Sequence, residues 1–401
     1  MEQHTPSRSL RDPDPPRLIR ATCAPGLSTW LEREVIDLGH EVLRRDHTGV
    51  EIKGRMADAM RLNLRLRTAY HVLQKFADLR VGDGDALYER AIRLPWERVV
   101  PCDGYVTVTS MVKNDTIRNS MFANMRLKDA IVDRISTVHE RRPDAGNDGD
   151  RTVVHMYWKG DDCRLYLDFS GRKLSDRGYR QIPRKAPMRE TIAAAVLMAM
   201  RYDGTTPLLV PMCGSGTIAI EAALMATGRS PGLLRSNHGV KHLLTHDEKT
   251  WNDERAAARR SSGNRVPALI HCSDIDPDAV EAARRNARTA GVEQLIDFET
   301  CDFSDLNVPD TPGSIVFHGE YGLRLGSDEG SRKTNGLMGD FMKRSCGGWT
   351  GFVFTSKDLA GSIGLKARRR TPFENGGVDC RLLEFELYDG TLKEADSTES
   401  G

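Results

Sequence analysis

Nowhere does this sequence hold the ~20 consecutive apolar residues that a membrane-spanning helix needs. Its opening, Met1 to Pro16, is polar and proline-rich with no apolar h-region. Neither membrane insertion nor secretion is expected, and the chain reads as cytoplasmic. Paired cysteines are missing too: Cys23, Cys102, Cys163, Cys213, Cys272, Cys301, Cys346 and Cys380 stand singly, with no C-x-x-C spacing. That argues against zinc, an iron–sulfur cluster or a redox pair, and suits reduced thiols in cytosol. Net charge is scarce, only +1 from 58 basic and 57 acidic side chains. The global balance therefore gives no support to a nucleic-acid partner, which must rest on a local patch. Internal repeats are not evident.

What is present is enough for several cores: 401 residues, 39% hydrophobic and 29% charged, the profile of a soluble chain of two or three domains. Residues 1–16 and 389–401 lack apolar periodicity and read as disordered tails. Residues 17–80 read as a small α+β unit: a strand LIRATC, a helix STWLEREVIDLGH, a strand GVEIKG and a helix from Ala57 to Leu73. Residues 81–170 form a second α+β stretch. It holds the strand YVTVTSMV, a long helix from about Asn119 to Glu140, and the strands TVVHMYWK and CRLYLDF. On that helix Phe122, Met125, Ile131, Ile135 and Val138 recur at helical spacing, which predicts a core face. Residues 171–185 form a basic linker. From Gly171 to Arg189 seven Lys or Arg stand against one acid, with Tyr179 among them. Such a run is equally a solvated face or a phosphate-binding strip.

From residue 186 to 388 helices and strands alternate, the pattern of a doubly wound α/β domain with a mostly parallel sheet. Leu208 to Ala226 reads strand, glycine turn, helix. Gly214 and Gly216 let a ligand lie against backbone at the strand's carboxyl end, close to the helix's positive end. A glycine turn of this kind opens a dinucleotide site, a methyltransferase site or merely a tight turn. The next strand ends at Asp274, a candidate acceptor for two ribose hydroxyls, and Asp276 with Pro277 caps the helix that follows. A further strand ends at Asp302 and Phe303, either a contact to an adenine or a loop aspartate beside a core phenylalanine. His238, His242 and His246 fall four apart, but Gly239 interrupts the spacing and no metal site is expected.

In order and spacing the chain resembles the bacterial large-subunit rRNA guanine methyltransferases with a THUMP domain. The resemblance runs from about Arg17 to Tyr388. It is carried by ATCAPGLSTWLEREV, NLRLRTAYHVL, KNDTIRNSMFANMRLKDAIVDR and LDFSGRKLSDRGYR in the first half. In the second half it is carried by APMRETIAAAVL, PMCGSGTIAIEAA, SDIDPDAVEAARRNARTAGV, GFVFTSKDLAGSIGLKARRR and NGGVDCRLLEFELY. The resemblance implies an α/β, class I (Rossmann-like) methyltransferase domain preceded by α+β ferredoxin-like and THUMP domains. It also implies S-adenosyl-L-methionine as cofactor and 23S rRNA, or its assembly intermediate, as partner; no obligate protein partner is evident. Transposed residue by residue, it assigns Met212, Cys213, Gly214, Ser215, Gly216, Thr217, Asp274, Ile275, Asp302 and Phe303 to the cofactor. It assigns Arg118, Arg172, Lys173, Arg177 and Arg180 to RNA.

Two departures stand out. The family's loop Asn-Pro-Pro-Tyr-Gly is here His318, Gly319, Glu320, Tyr321 and Gly322, leaving His318, Glu320 and Tyr321 as the catalytic candidates. An aspartate usual before the glycine turn is here Val210, which cannot accept a hydrogen bond. Two function classes follow: an active N2-guanine methyltransferase with a variant loop, or an RNA-binding homologue with altered catalysis serving ribosome assembly. A nicotinamide dehydrogenase is permitted by the glycine turn alone.

Overall fold

The computed structural model describes residues 14–182, 187–263, 265–319 and 328–388. The expected tails, apart from residues 14–16, fall outside them. β1 (Arg17–Cys23) alternates as a half-buried strand, with Ile19, Ala21 and Cys23 inward. α1 (Ser28–Asp37) buries Leu31 and Val35 and stops where Gly39 takes a φ of +86°. β2 (Val42–Asp46), β3 (Gly49–Gly54) and α2 (Met56–Arg65) follow. The helix expected to reach Leu73 ends early. The backbone N–H groups of Arg67 and Thr68 donate to the Glu34 carboxylate at 2.7 and 3.0 Å, and the chain then enters β4 (Ala69–Arg80). β4 is paired on both sides, by β1 and by the strand Asp162–Asp168, so strand pairing overrides helical spacing there.

The second unit contains α3 (Gly84–Ala91), β5 (Tyr105–Lys113), α4 (Ser120–His139), β6 (Asp144–Gly146), β7 (Thr152–Lys159) and β8 (Asp162–Asp168). α4 begins where the Asn119 side chain accepts the Met121 N–H at 2.9 Å. Its expected core face is only partly that. Ile131 and Ile135 are buried, but Phe122, Met125 and Val138 are all over 40% exposed, because the helix lies on the sheet mainly through Ala123, Leu127 and Ala130. The strands of both units form one sheet in the order β2-β3-β1-β4-β8-β7-β5-β6.

The C-terminal half comprises α5 (Glu190–Ala199), β9 (Leu208–Val210), α6 (Thr217–Ala226), α7 (Glu248–Arg260), β10 (Ile270–Asp274), α8 (Pro277–Thr289), β11 (Asp297–Thr300), β12 (Ser314–His318), α9 (Asp328–Ser345), β13 (Thr350–Ser356), β14 (Arg369–Asn375) and β15 (Val378–Glu386). Its sheet runs β11-β10-β9-β12-β13-β15-β14, parallel from β11 to β13 and antiparallel thereafter. Alternate residues face opposite layers: Leu208 and Val210 enter one core, Leu209 the other, and Ile315 and Phe317 join Leu209 while Val316 does not. Both faces are therefore covered, as a doubly wound sheet requires. β14 is not among the expected strands; Arg369 and Arg370 open it, and Arg370 and Pro372 blunt an edge strand.

The two halves share one core that extends from Ile19 through Trp251 to Leu382. The stretch between α6 and α7 seals the junction. Gly232 lies so close to α2 that a Cβ would sit 2.6 Å from Leu64 Cα. Val240 N–H donates to Phe169 O and Leu244 N–H to Val99 O, both at 3.0 Å, and Arg61 pairs with Glu254 at 2.7 Å.

Candidate active site

In the parallel part of the second sheet, β9 lies between β10 and β12, and the strand order reverses there. In such sheets the crevice outside the carboxyl ends of the strands at the reversal is where ligands bind. The residues singled out in the sequence converge on that edge. Residues 211–216 leave β9 in a tight turn in which Met212, Gly214 and Gly216 take φ values of +57°, +55° and +79°. For Met212 that conformation is strained and held by its surroundings. The two glycines serve different ends. Gly216 packs on α8, where a Cβ would come 2.8 Å from Ala283 Cβ, whereas Gly214 has open space on its Cβ side. Thr217 then starts α6, whose first N–H groups face the turn.

Asp274, at the end of β10, buttresses this turn. One carboxylate oxygen accepts the Gly214 N–H at 2.9 Å and the other the Asp276 N–H at 3.1 Å, and each keeps a further lone pair. Ile275 beside it is 66% exposed, an apolar flat offered to a ring. Asp276 caps α8 by accepting the Asp278 N–H at 2.9 Å, with Pro277 in the first turn, as its sequence predicted. Asp302, beyond β11, accepts the Ser304 N–H at 2.9 Å. Phe303 packs edge-on against Phe317 and Phe341, with ring centroids 5.5 and 6.0 Å apart, and stays half-buried. The Cys213 thiol is pushed well above its ordinary value, first by the hydrogen bond with the Cys272 thiol and then by burial. A glycine surface with open space, a carboxylate with two free lone pairs and an exposed isoleucine suit an adenosine-bearing cofactor.

His318 ends β12 with its ring tilted 55° to Phe354 at 5.7 Å. Burial lowers its imidazole to about 4, so at neutral pH it is uncharged. Gly319 is fitted against α9, where a Cβ would lie 3.1 Å from Met338 Cε and 3.4 Å from Asn335 Oδ1. Glu320 and Tyr321 lie outside the described residues. Val210 is buried in the larger core.

The expected RNA contacts separate into two groups. Arg118, Arg172 and Lys173 are exposed. Arg172 pairs with Asp150 at 2.6 Å, and the Lys173 ammonium stands 5.0 Å from the centre of the Tyr70 ring. Arg189, which sequence reasoning missed, donates to the Tyr70 hydroxyl at 2.7 Å. Arg177 is a correction. It is 1% exposed and bound to Glu221 at 3.4 Å and to the carbonyls of Leu174 and Arg67, so no RNA reaches it. Arg180 is another: its guanidinium is turned inward onto Glu190, Ser215 and Met188 O. Among the described residues no cluster of His, Cys, Asp and Glu could hold a metal ion. His238 is buried against Gly232 O, while His242 bonds Asn237 and His246 bonds Glu248. No described helix is long and apolar enough to cross a membrane.

Family profiles agree with this architecture. A profile described as an RMKL-like methyltransferase domain matches residues 177–384, an RlmL ferredoxin-like domain matches 19–73, and a THUMP domain matches 82–168. The ribosomal RNA large subunit methyltransferase K/L of Syntrophotalea carbinolica is 34% identical over 96% of this chain and 56% of its own length. This chain thus spans about half the length of the K/L relatives it matches. A provisionally named RNA methyltransferase of Synechocystis is 30% identical over 92% of this chain and 96% of its own length. Among solved structures, a Listeria monocytogenes protein provisionally titled an N6-adenine-specific DNA methylase superposes with a TM-score of 0.81 at 30% identity, covering 94% of this chain and 97% of that one. A methyltransferase-like structure in complex with SAH shares the fold at a TM-score of 0.83 and 24% identity, covering 94% of this chain and all of that one. With the methyltransferase profile matching more than half of the chain, after ferredoxin-like and THUMP profiles, the chain belongs to the RMKL-like methyltransferase family.

Proposed function

We propose that this chain transfers a methyl group from S-adenosylmethionine to the exocyclic N2 amine of a guanine in large-subunit (23S) ribosomal RNA. One observation carries the reading: an adenosine-type cradle and an uncharged His318 share one sheet edge, on a core continuous with a THUMP-matching module. The names of the K/L relatives supply the RNA class. The Listeria name, an adenine methylase, points to the same chemistry, an exocyclic amine on a purine.

When bound, the cofactor supplies an electrophilic methyl group on a sulfonium that becomes a neutral thioether as the C–S bond breaks and the N–C bond forms. Asp274 would accept from the two ribose hydroxyls, Ile275 would cover a face of the adenine, and Asp302 would accept from its amine. A base inside a helix must be unstacked to reach this edge. Tyr321 then offers an aromatic face, and His318 accepts one N–H of the target amine, directing its lone pair at the methyl group. The proton leaves after N–C bond formation. That proton goes to His318, Glu320 or water.

The test is calorimetric titration with S-adenosylmethionine followed by radiolabelled transfer to unmodified large-subunit rRNA. Binding and incorporation are expected, with transfer abolished in Tyr321→Ala. The single-turnover rate should show no inflection near pH 6.5, because His318 stays neutral down to about pH 4. An inflection there would remove His318 from the role. The second reading, an RNA-binding homologue without turnover, is favoured by buried, apolar Val210 and by His-Gly-Glu in place of Asn-Pro-Pro. Tight rRNA binding with neither cofactor binding nor transfer would establish it.

A further inference from the structure

Ser215 sits between two glycines in left-handed conformations, the least constrained backbone in the cofactor turn. Yet it is held on both sides. Arg180 Nη1 donates to its hydroxyl at 2.8 Å, and Asn286 Nδ2 of α8 donates to its carbonyl at 3.1 Å. Neither holder is a surface side chain. Asn286 is fully buried, and its Oδ1 accepts the backbone N–H groups of Gln181 and Ile182 at 2.9 and 3.1 Å. Arg180 is itself locked by Glu190 at 2.8 Å and by Met188 O at 2.9 Å. The segment that carries Arg180 is tied to the first sheet as well, through Leu174 N–H to Tyr70 O at 2.8 Å. Arg177 bonds Glu221 on α6, the helix that the turn opens into.

We propose that residues 170–182 form a strap that fixes the cofactor turn, with Arg180 and Asn286 as positioning residues that set affinity for S-adenosylmethionine. The inference rests on reading the turn as the cofactor cradle. Its physical basis is preorganisation. A turn with two glycines that is already fixed loses no conformational freedom when the cofactor docks, whereas a released turn must be ordered at that moment. The strap leads from the exposed pair Arg172 and Lys173, so the segment offered to RNA phosphates is covalently continuous with the one that holds the cofactor turn.

Calorimetry with S-adenosylhomocysteine tests this without RNA. In Arg180→Lys the charge beside Glu190 remains but the reach to Ser215 is lost, and Kd should rise about three- to tenfold. The double variant Arg180→Met with Glu190→Gln removes the buried pair as a pair and should raise Kd about tenfold, or ~1.4 kcal/mol. In both, KM for S-adenosylmethionine should rise by the same factor. The rate at saturating cofactor and the affinity for rRNA should hold, a split that general loosening would not produce. If the double variant fails to fold, Arg180→Lys decides alone. Folded variants with Kd within twofold of wild type overturn the strap. A wild-type chain that binds no S-adenosylhomocysteine overturns the methyltransferase reading and the strap with it, so the two failures are distinguishable.

Discussion

Asp274→Ala is expected to weaken S-adenosylmethionine binding by at least about 100-fold. A hydrogen bond to a charged group contributes about 1.5–3 kcal/mol, and the carboxylate has one free lone pair per oxygen for the two ribose hydroxyls. Two such bonds come to about 3–6 kcal/mol, and each ~1.4 kcal/mol is a factor of ten. The substitution also strips the Gly214 N–H of its acceptor, so the cradle loosens where the ligand must lie against backbone. Asp274→Asn should fall between the two, at about tenfold, because an amide oxygen still serves one side while its NH2 opposes an N–H on the other. Titration calorimetry reads both. An affinity within threefold of wild type in Asp274→Ala would mean that the ribose is held elsewhere.

The second large effect is on stability. Arg177→Met should destabilise the fold by about 3–5 kcal/mol, because removing one partner of a buried ion pair leaves the other charge uncompensated. Glu221 has no exposure and Arg177 almost none, and Arg67, whose charge also bears on Glu221, is half-buried, with its guanidinium pushed below its ordinary value by desolvation. The Tyr179 hydroxyl donates to the same Glu221 oxygen at 3.1 Å. At ~2 °C per kcal/mol for a large cooperative unit, the melting temperature should drop by about 6–10 °C. Arg172→Ala is the contrast. It should leave melting within about a degree while weakening rRNA binding uniformly across sequences, and should lower the salt slope of binding by about one. If Arg177→Met melted like wild type and lost salt slope instead, Arg177 would face RNA after all.

These two arginines show where sequence reasoning holds and where it stops. Both sit in one basic run five residues apart, and composition treats them alike; only the packing of that run against α6 separates an exposed arginine from a buried structural ion pair. The methyltransferase half was legible because its strands are short apolar runs, each followed by a polar or glycine-bearing end, and because Asp276 with Pro277 announces a helix start. Gly214, Gly216, Asp274 and Asp302 fell at strand ends in the sequence and lie at one edge in space. The early stop of α2 was not legible. Its cause is Glu34, more than thirty residues away, whose carboxylate takes the Arg67 and Thr68 N–H groups, and no local pattern encodes such a partner. Phe122 and Met125 have helical spacing, but the small residues Ala123 and Ala130 let α4 approach the sheet and turn the larger side chains outward. Asn286 is likewise one asparagine in an alanine-rich helix until the turn it braces is seen beside it.

The core that runs without a break from β1 into the second sheet makes the molecule a caliper. Among the described residues that shared core packs the two sheets against each other, so on the proposed function the span from the exposed face of α4 to the carboxyl edge of β12 would be set by packing. On the proposed function, an RNA would be measured against that length, and a guanine standing the right distance from the gripped fold would come to rest at the cofactor.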